Sequence, residues 1–405
     1  MKQTNNYFNK SQYYDVEKFC KHKFQAKKLF SIFHLNIHSL QFHIEDLKII
    51  LELLDFDFDI IAISETKLIN GVQPKIDINL SDYNFEDTPT DSSKGGTAIY
   101  ISKKHSYKPR KDLNIYKSKE LESTFIEIIS PNQTNTIIGC IYKHPNMSQT
   151  EFTDDFMKPL LNKVNTENKK IYLTGDFNMD LLKTSSNVNT SEYFELLSSN
   201  NFIPLINGPT RVSPSSKTLI DNIFYNQFTT DVISGNLTVG ISDHMPQFSL
   251  VPNSNQYHLP KHNNNFRRNL KTFDNENFIL DYLAIDWSQL ENMDTNAAFE
   301  SFISIINKLL DQYAPLTKTT NKEHKLKIKP WITKGILKSI KIRDRIFNNF
   351  TKAKNNILKT QLHNNYKYYR NSIVNLIKKN KKQFYDKYFA ENNKNMRAIW
   401  KELTT

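Results

Sequence analysis

Short apolar runs that stop on a polar residue constrain this chain more than any other feature of its sequence. Leu29-Phe-Ser-Ile-Phe-His-Leu-Asn36 is a short β-like run, and Asp59-Ile-Ile-Ala-Ile-Ser64 reads as a buried strand. Thr97–Ser102, Glu122–Ile129, Thr136–Tyr142, Lys170–Thr174, Leu219–Phe224 and Gln247–Val251 continue the series. Ile44, Leu47, Ile50, Leu51 and Leu54 stand at helical spacing between the first two runs. Phe152, Phe156, Leu160, Leu161 and Val164 do the same before Lys170. Many strands with interspersed helices predict an α/β domain with sheet at its centre.

That domain is expected over residues 29–251, after a polar, aperiodic lead-in at 1–28. Beyond Val251 the composition turns to Pro, Asn, Ser, Gln and His, including Asn263-Asn-Asn265, which predicts a linker over 252–270. Residues 271–405 then read as a basic helical extension. Phe299, Phe302, Ile303, Ile306 and Leu310 form one apolar stripe, closed by Pro315, and Leu362, Tyr366, Tyr369, Ile373 and Leu376 form another.

The formal charge of +12 is unevenly spread. Residues 317–405 hold 23 Lys and Arg against 5 Asp and Glu, a net of +18, whereas residues 1–316 hold 31 against 37, a net of −6. Such a block suits a polyanion, since neutralising phosphates releases counterions; it equally suits a solvated helix face. Cys20 and Cys140 are too few for a disulfide framework or a zinc site and predict free thiols in a reducing compartment. The N-terminus lacks the apolar run of a signal peptide. The most apolar segment, Leu47–Ser64, is interrupted by Glu52, Asp55, Asp57 and Asp59, so no membrane partner is expected and the chain reads as intracellular.

The polar residues that end the runs are the kinds used in metal-assisted phosphate chemistry. Asn36 closes the first, Glu65 the second, and Tyr142 a later one, in Ile-Tyr-Lys-His-Pro. Asp176 and Asn178 stand in Leu-Thr-Gly-Asp-Phe-Asn, Asp221 in Leu-Ile-Asp-Asn-Ile-Phe, and Asp243 and His244 in Ser-Asp-His before the last strand. Magnesium takes hard oxygen ligands and keeps most of its waters, so one or two carboxylates suffice. Phosphodiester hydrolysis further needs a group to position water and donors for the phosphoryl oxygens. Alone, Gly-Asp-Phe-Asn reads as a strand-ending turn and Ser-Asp-His as a cap or loop closure, and His34 and His38 read as ordinary loop or surface histidines. Phe152-Thr-Asp-Asp155 mimics a polymerase motif but opens a helical pattern.

The order Asn, Glu, Tyr, Gly-Asp-Phe-Asn, Asp, Ser-Asp-His resembles the endonuclease/exonuclease/phosphatase superfamily over about residues 29–251. Ile63-Ser-Glu-Thr-Lys-Leu68, Lys94-Gly-Gly-Thr-Ala-Ile-Tyr100, Gly208-Pro-Thr-Arg211 and Leu219-Ile-Asp-Asn-Ile-Phe224 are similar to the apurinic-type endonuclease of non-LTR retrotransposons. Lys329-Pro-Trp-Ile-Thr333 resembles the region joining that nuclease to a reverse transcriptase, which this chain does not encode.

The resemblance implies a four-layer sandwich of two packed β-sheets flanked by helices, followed by the basic extension. It implies a DNA-nicking endonuclease that uses Mg²⁺, or Mn²⁺ in its place. Glu65 and Asp243 would hold the metal, with Asn36 organising the site. Asp176 would orient or deprotonate water, Asn178 would stabilise the pentacovalent phosphate, and Tyr142 would contact the phosphate. His244, oriented by Asp221, would bind phosphoryl oxygens or handle a proton, and Thr210 and Arg211 would lie near the DNA backbone. Element RNA on the basic tail, a reverse transcriptase supplied separately or lost, and a nuclear place of action complete the expectation. Two departures are His38, where relatives often carry Asp, Asn or Arg, and Tyr142-Lys-His-Pro in place of Tyr-Arg-Pro-Pro. A phosphatase or phosphodiesterase of the same superfamily and an inactive nucleic-acid-binding relic remain as alternatives.

Overall fold

The computed structural model describes residues 12–22, 29–131, 134–227, 232–252, 266–270, 273–291, 293–318, 331–392, 395 and 399. Much of the expected lead-in and linker, and Lys329 and Pro330, lie outside the described residues. Two compact units are present: residues 1–255 with 330–405, and residues 256–329. The expected extension, 271–405, is thus shared between them.

In the first unit the chain runs through β1 (Gln12–Tyr14), α1 (Val16–Lys21), β2 (Leu29–Asn36), α2 (Leu40–Leu54) and β3 (Ile60–Ser64). It continues through β4 (Tyr83–Thr88), β5 (Thr97–Ser102), β6 (Tyr107–Pro109), β7 (Tyr116–Lys117), β8 (Leu121–Ile128) and β9 (Thr136–Lys143). A helix of three parts follows: α3 (Gln149–Glu151), a π-helical turn (Phe152–Met157) that absorbs Phe152-Thr-Asp-Asp155, and α4 (Lys158–Asn165). Then come β10 (Lys170–Asp176), α5 (Val188–Ser199), β11 (Ile203–Pro204), β12 (Arg211–Val212) and β13 (Lys217–Thr218). β14 (Asp221–Tyr225), β15 (Ile233–Leu237) and β16 (Gln247–Pro252) close the series.

One sheet has the order β1-β15-β16-β2-β3-β5-β4, and the other β11-β14-β10-β9-β8-β6, with β7 on β8. The sheets face each other. Ile60 and Ala62 of β3 bury against Ile126, Ile138 and Ile223 of the other sheet, while the alternate residues Ile61 and Ile63 pack on Leu47 and Ile50 of α2. Burial on both faces is why this strand is apolar throughout. Ile171 and Leu173 of β10 turn outward onto Leu161 of α4 and Tyr193 of α5. The result is the expected four-layer sandwich.

Of the three parallel pairs, β2–β3 and β9–β10 each join through a crossover helix, supplied by α2 and by α3–α4. Their carboxyl ends place Asn36 opposite Ser64 and Tyr142 opposite Asp176. Polar residues at the ends of four central strands therefore collect at one end of the sandwich.

Residues 256–329 carry β17 (Phe266–Arg268), α6 (Asn275–Leu283), α7 (Thr295–Tyr313) and β18 (Leu316–Lys318), with β17 and β18 antiparallel. Asp274 and Asp294 cap the two helices, and Arg268 pairs with Asp311 at 2.6 Å. The stripe predicted on α7 leaves Phe299, Phe302 and Ile303 exposed.

The C-terminal helices belong to the first unit. Thr333 caps α8 (Lys334–Lys352), and α9 (Asn356–Glu391) runs alongside it. Trp331, Ile336, Ile340, Ile373 and Ile377 bury together with Ile49 of α2. Arg343, 1% exposed, pairs with Asp46 of α2 at 3.1 Å and with Asp344 at 2.9 Å. Among the described residues, no helix is long and apolar enough to cross a membrane.

Candidate active site

Asn36, fully buried at the end of β2, bridges two carboxylates. Its Nδ2 donates to Glu65 Oε1 at 2.9 Å and to Asp176 Oδ2 at 2.8 Å. Glu65 follows β3 with φ of 52°, a left-handed conformation unusual for a residue with a side chain. The loop is held by Thr66 N and Lys67 N, which donate to Gly96 O and Gly95 O. Gly96 has φ of +84°, and a Cβ there would stand 2.4 Å from Thr66 Oγ1, so the Lys-Gly-Gly-Thr segment is the seat of Glu65. Burial alone would raise the Glu65 pKa, but donors on His38 and Asn36 outweigh it and bring it down to about 2.

Asp176 ends β10, directly opposite Asp221 of β14. Its Oδ1 accepts from Asn178 N at 3.0 Å, and Asn178, with φ of 46°, donates its side-chain amide to Lys143 O at 2.6 Å. Burial and the charge of Asp221 push the Asp176 carboxyl well above the usual range, against the pull of His244. His244 Nδ1 donates to Asp221 at 2.9–3.0 Å and lies 3.9 Å from Asp176. Burial opposes its charge, yet Asp221 and Asp176 hold it as an imidazolium, with the pKa raised. Asp221 occupies Nδ1, so Nε2 is the nitrogen left for a substrate oxygen.

Ser242 fixes the loop that carries this imidazole: its Oγ donates to Asn36 O at 2.7 Å and accepts from His244 N at 3.1 Å. Asp243 stands half exposed, gripped by Arg211 Nε and Nη2 at 3.1 and 2.8 Å; burial opposes its charge, but His244 and then Arg211 hold its pKa low. Tyr142 is buried. Its phenol pKa is raised by burial first and then by the charges of Glu65 and Asp176. Thr210, expected near the DNA backbone, is fully buried and donates to Asp221 Oδ2 at 2.6 Å, so what it does here is orient Asp221. Arg211 is exposed beside it.

Three groups lie at or beside the site without having been expected in it. His38 Nδ1 sits 3.2 Å from Glu65 Oε2, a contact its place two residues after Asn36 could have suggested. His34, taken for a loop or surface residue, is fully buried in β2, bonded to Gln247 Oε1 at 2.6 Å and Ser64 Oγ at 3.2 Å. Lys143 is buried beside the site, where burial, partly offset by Asp176, lowers its pKa to about 8. In the sequence it stands out only as part of the Tyr142-Lys-His-Pro departure.

Buried carboxylates, an imidazole and positioned amides thus gather at one end of the sandwich, from the carboxyl ends of β2, β3 and β10, the start of β14 and the loop before β16. Residues 34–244 match the Endonuclease/Exonuclease/phosphatase family, and the chain belongs to it, a family of metal-dependent phosphoesterases and nucleases. No curated protein is detectably similar in sequence. Among solved structures, the chain is similar to the AP endonuclease LMAP from Leishmania major, at 14% identity over 56% of this chain and 89% of that one, with a TM-score of 0.46. It is also similar to the endonuclease domain of TRAS1, a telomere-specific non-LTR retrotransposon (12% identity, 56% and 99% covered, TM-score 0.39). A 3′-5′ exonuclease from Neisseria meningitidis gives 15% identity, 55% and 99% covered, and a TM-score of 0.40.

Proposed function

We propose that this chain is a DNA endonuclease that nicks duplex DNA with Mg²⁺ or Mn²⁺, the target-site nuclease of a non-LTR retrotransposon. The observation that carries the reading is Asn36 joining Glu65 to Asp176, which in turn lies beside the His244–Asp221 pair. The oxygen-rich donor set suits a hard divalent cation: Glu65 and Asp243 would hold it, and Asn36 fixes the Glu65 carboxylate. When bound, the ion supplies Lewis-acid neutralisation of the phosphoryl oxygens.

The chain's own groups do the rest. Asp176, with its raised pKa, orients water and accepts its proton. The His244 imidazolium donates from Nε2 to a non-bridging phosphate oxygen, and Asp221, steadied by Thr210, keeps it charged. Tyr142 stays a neutral donor toward the phosphate. Asn178 stabilises the pentacovalent phosphorus by giving up its bond to Lys143 O. Chromosomal DNA in the nucleus is the substrate, with element RNA on the basic tail and a reverse transcriptase, supplied separately or lost, as further partners.

Full-length protein with supercoiled plasmid and Mg²⁺ should yield open circles, and EDTA should abolish them. Asp176→Asn and His244→Ala should each lower turnover by about a hundredfold or more. Nicking that survives EDTA, or a His244→Ala protein at wild-type rate, contradicts the mechanism. Release of inorganic phosphate without plasmid cleavage contradicts the substrate.

A further inference from the structure

Helix α9 is seated on the loop that carries Asp243 and His244. Tyr366 Oη donates to Ser242 O at 2.9 Å, and its ring packs so closely on Gly240 that a Cβ there would meet it at 2.6 Å. Val212 and Met245 bury in the same cluster with Phe347, Phe350 and Tyr366. Lys359, His363, Lys367 and Arg370 are spaced four, four and three apart, so they share one side of α9 with Tyr366. The Arg370 guanidinium lies 5.6 Å from the Tyr366 ring centre.

The charges on this row are arranged for something other than stability. From Asn356 to Tyr385 the helix contains no acidic side chain. Two other lysines of α9 are engaged elsewhere: Lys381 pairs with Glu45, and Lys378 lies over the ring of Phe42 at 4.2 Å. Lys359, Lys367 and Arg370 form no ion pair among the described residues, although Lys359 is only 7% exposed. Burial and the nearby Lys217 of the β12–β13 hairpin both work against the charge on Lys359. His363 lies within electrostatic reach of Asp243, so the row flanks the catalytic residues. Cations gathered from two elements, with no ion pair among the described residues, beside the Ser242–His244 loop suit an anionic partner such as phosphate.

We infer that this side of α9 is a wall of the substrate cleft, in which Lys359, Lys367 and Arg370 take backbone phosphates of duplex DNA flanking the scissile bond. The inference rests on the DNA-nuclease reading and adds the path of the duplex. Eleven residues of helix span roughly 16 Å, the rise of about five base pairs. The flank touched is therefore about half a turn.

The test compares two full-length variants that each remove two charges. Lys359→Gln/Lys367→Gln changes the row. Lys103→Gln/Lys170→Gln changes the opposite end of the sandwich, since Lys103 follows the end of β5 that faces Asp59 and Lys170 begins the strand that Asp176 ends. Binding to a 30-base-pair duplex, read by fluorescence anisotropy in EDTA over a salt series, keeps cleavage out of the measurement. The α9 variant should bind at least about fivefold more weakly and flatten the log–log salt slope by about 1 to 2, near 0.9 per lost phosphate contact. The control should change by less than about twofold. Lys367→Gln alone, at an exposed position, should give about half the slope change without risk to the fold, and Lys359→Arg should restore binding. Equal weakening in both double variants, an unchanged slope, or an effect seen with single-stranded RNA and not with duplex DNA overturns the inference. A wild-type protein that binds DNA through this row yet never nicks plasmid counts against the nuclease reading alone.

Discussion

Tyr366→Phe removes one oxygen atom and tests whether the C-terminal helices brace the catalytic loop. Both partners of the Tyr366–Ser242 hydrogen bond are buried, at 1% exposure each. Deleting the donor strands the Ser242 carbonyl away from water, a cost of about 1–3 kcal/mol. Ring packing is retained, so a loss near the lower half of that range is expected. It should lower the melting temperature by a few degrees. Tyr366→Ala also removes the ring that Phe347, Phe350 and Met245 pack against, which raises the cost to about 3–5 kcal/mol. The two variants should also differ in kind. The hydroxyl bonds to a loop rather than to a helix or strand, so part of its loss should appear as local opening. An increment of 1.4 kcal/mol makes the open loop about tenfold more populated, which hydrogen exchange over residues 240–245 reads directly. Nicking should slow with Tyr366→Phe, while the far strands β4 and β5 keep their protection. A Tyr366→Phe protein with unchanged melting, unchanged exchange at 240–245 and unchanged nicking would refute the reasoning, and the helices would then merely lean on the domain.

Two further outcomes concern stability. At Gly175, with φ of +149°, a Cβ would stand 1.8 Å from Ile141 O in the neighbouring strand, so Gly175→Ala should cost at least about 3 kcal/mol. Gly71→Ala, at positive φ but with nothing within 4 Å, should cost about 1–2 kcal/mol; urea midpoints that do not separate the two contradict the packing argument. His34 is held neutral, because burial lowers its pKa, so below pH 6.5 the unfolded chain takes a proton that the folded His34 refuses. Its contribution is therefore present above pH 6.5 and is lost below it, by up to about 1.4 kcal/mol per pH unit. The fall in stability from pH 7.5 to 5.5 should be shallower in His34→Gln, and an identical slope counts against this.

Much of the sandwich was legible because its central strands are buried on both faces, which leaves little room for polar residues except at their ends. That same rule made Asn36, Glu65, Tyr142 and Asp176 stand out. Contacts between them were a different matter. Asp176 faces Asp221 only because β10 and β14 pair antiparallel in that register, and 45 positions of sequence say nothing about register. Thr210 illustrates the same gap. Beside Arg211 in the chain it looks like a partner for DNA, but the main chain turns it inward, to Asp221, while Arg211 goes outward to Asp243.

The C-terminal stripe was legible as a face and illegible as a contact. Helical spacing assigns Leu362, Tyr366, Tyr369 and Ile373 to one side, but it cannot say what covers that side. Here the cover is α8, α2 and the Ser242–His244 loop, more than a hundred residues earlier. Electrostatics gives this placement a reason within the nuclease reading. A site that holds a cation and activates water must keep Glu65, Asp176, Asp221 and Asp243 together, and that cluster repels the phosphates it is meant to cut. Cations placed among the carboxylates would instead pair with them, as Arg211 does with Asp243. Lysines on a separate helix seated on the Ser242–His244 loop avoid this pairing, and charges act on one another over about 8–10 Å, the Debye length near physiological salt. Within the first unit, the acids of the sandwich and the cations of α9 are then one site divided between two stretches of chain, and cutting the chain at the end of the family match would keep the acids and lose the phosphate grip.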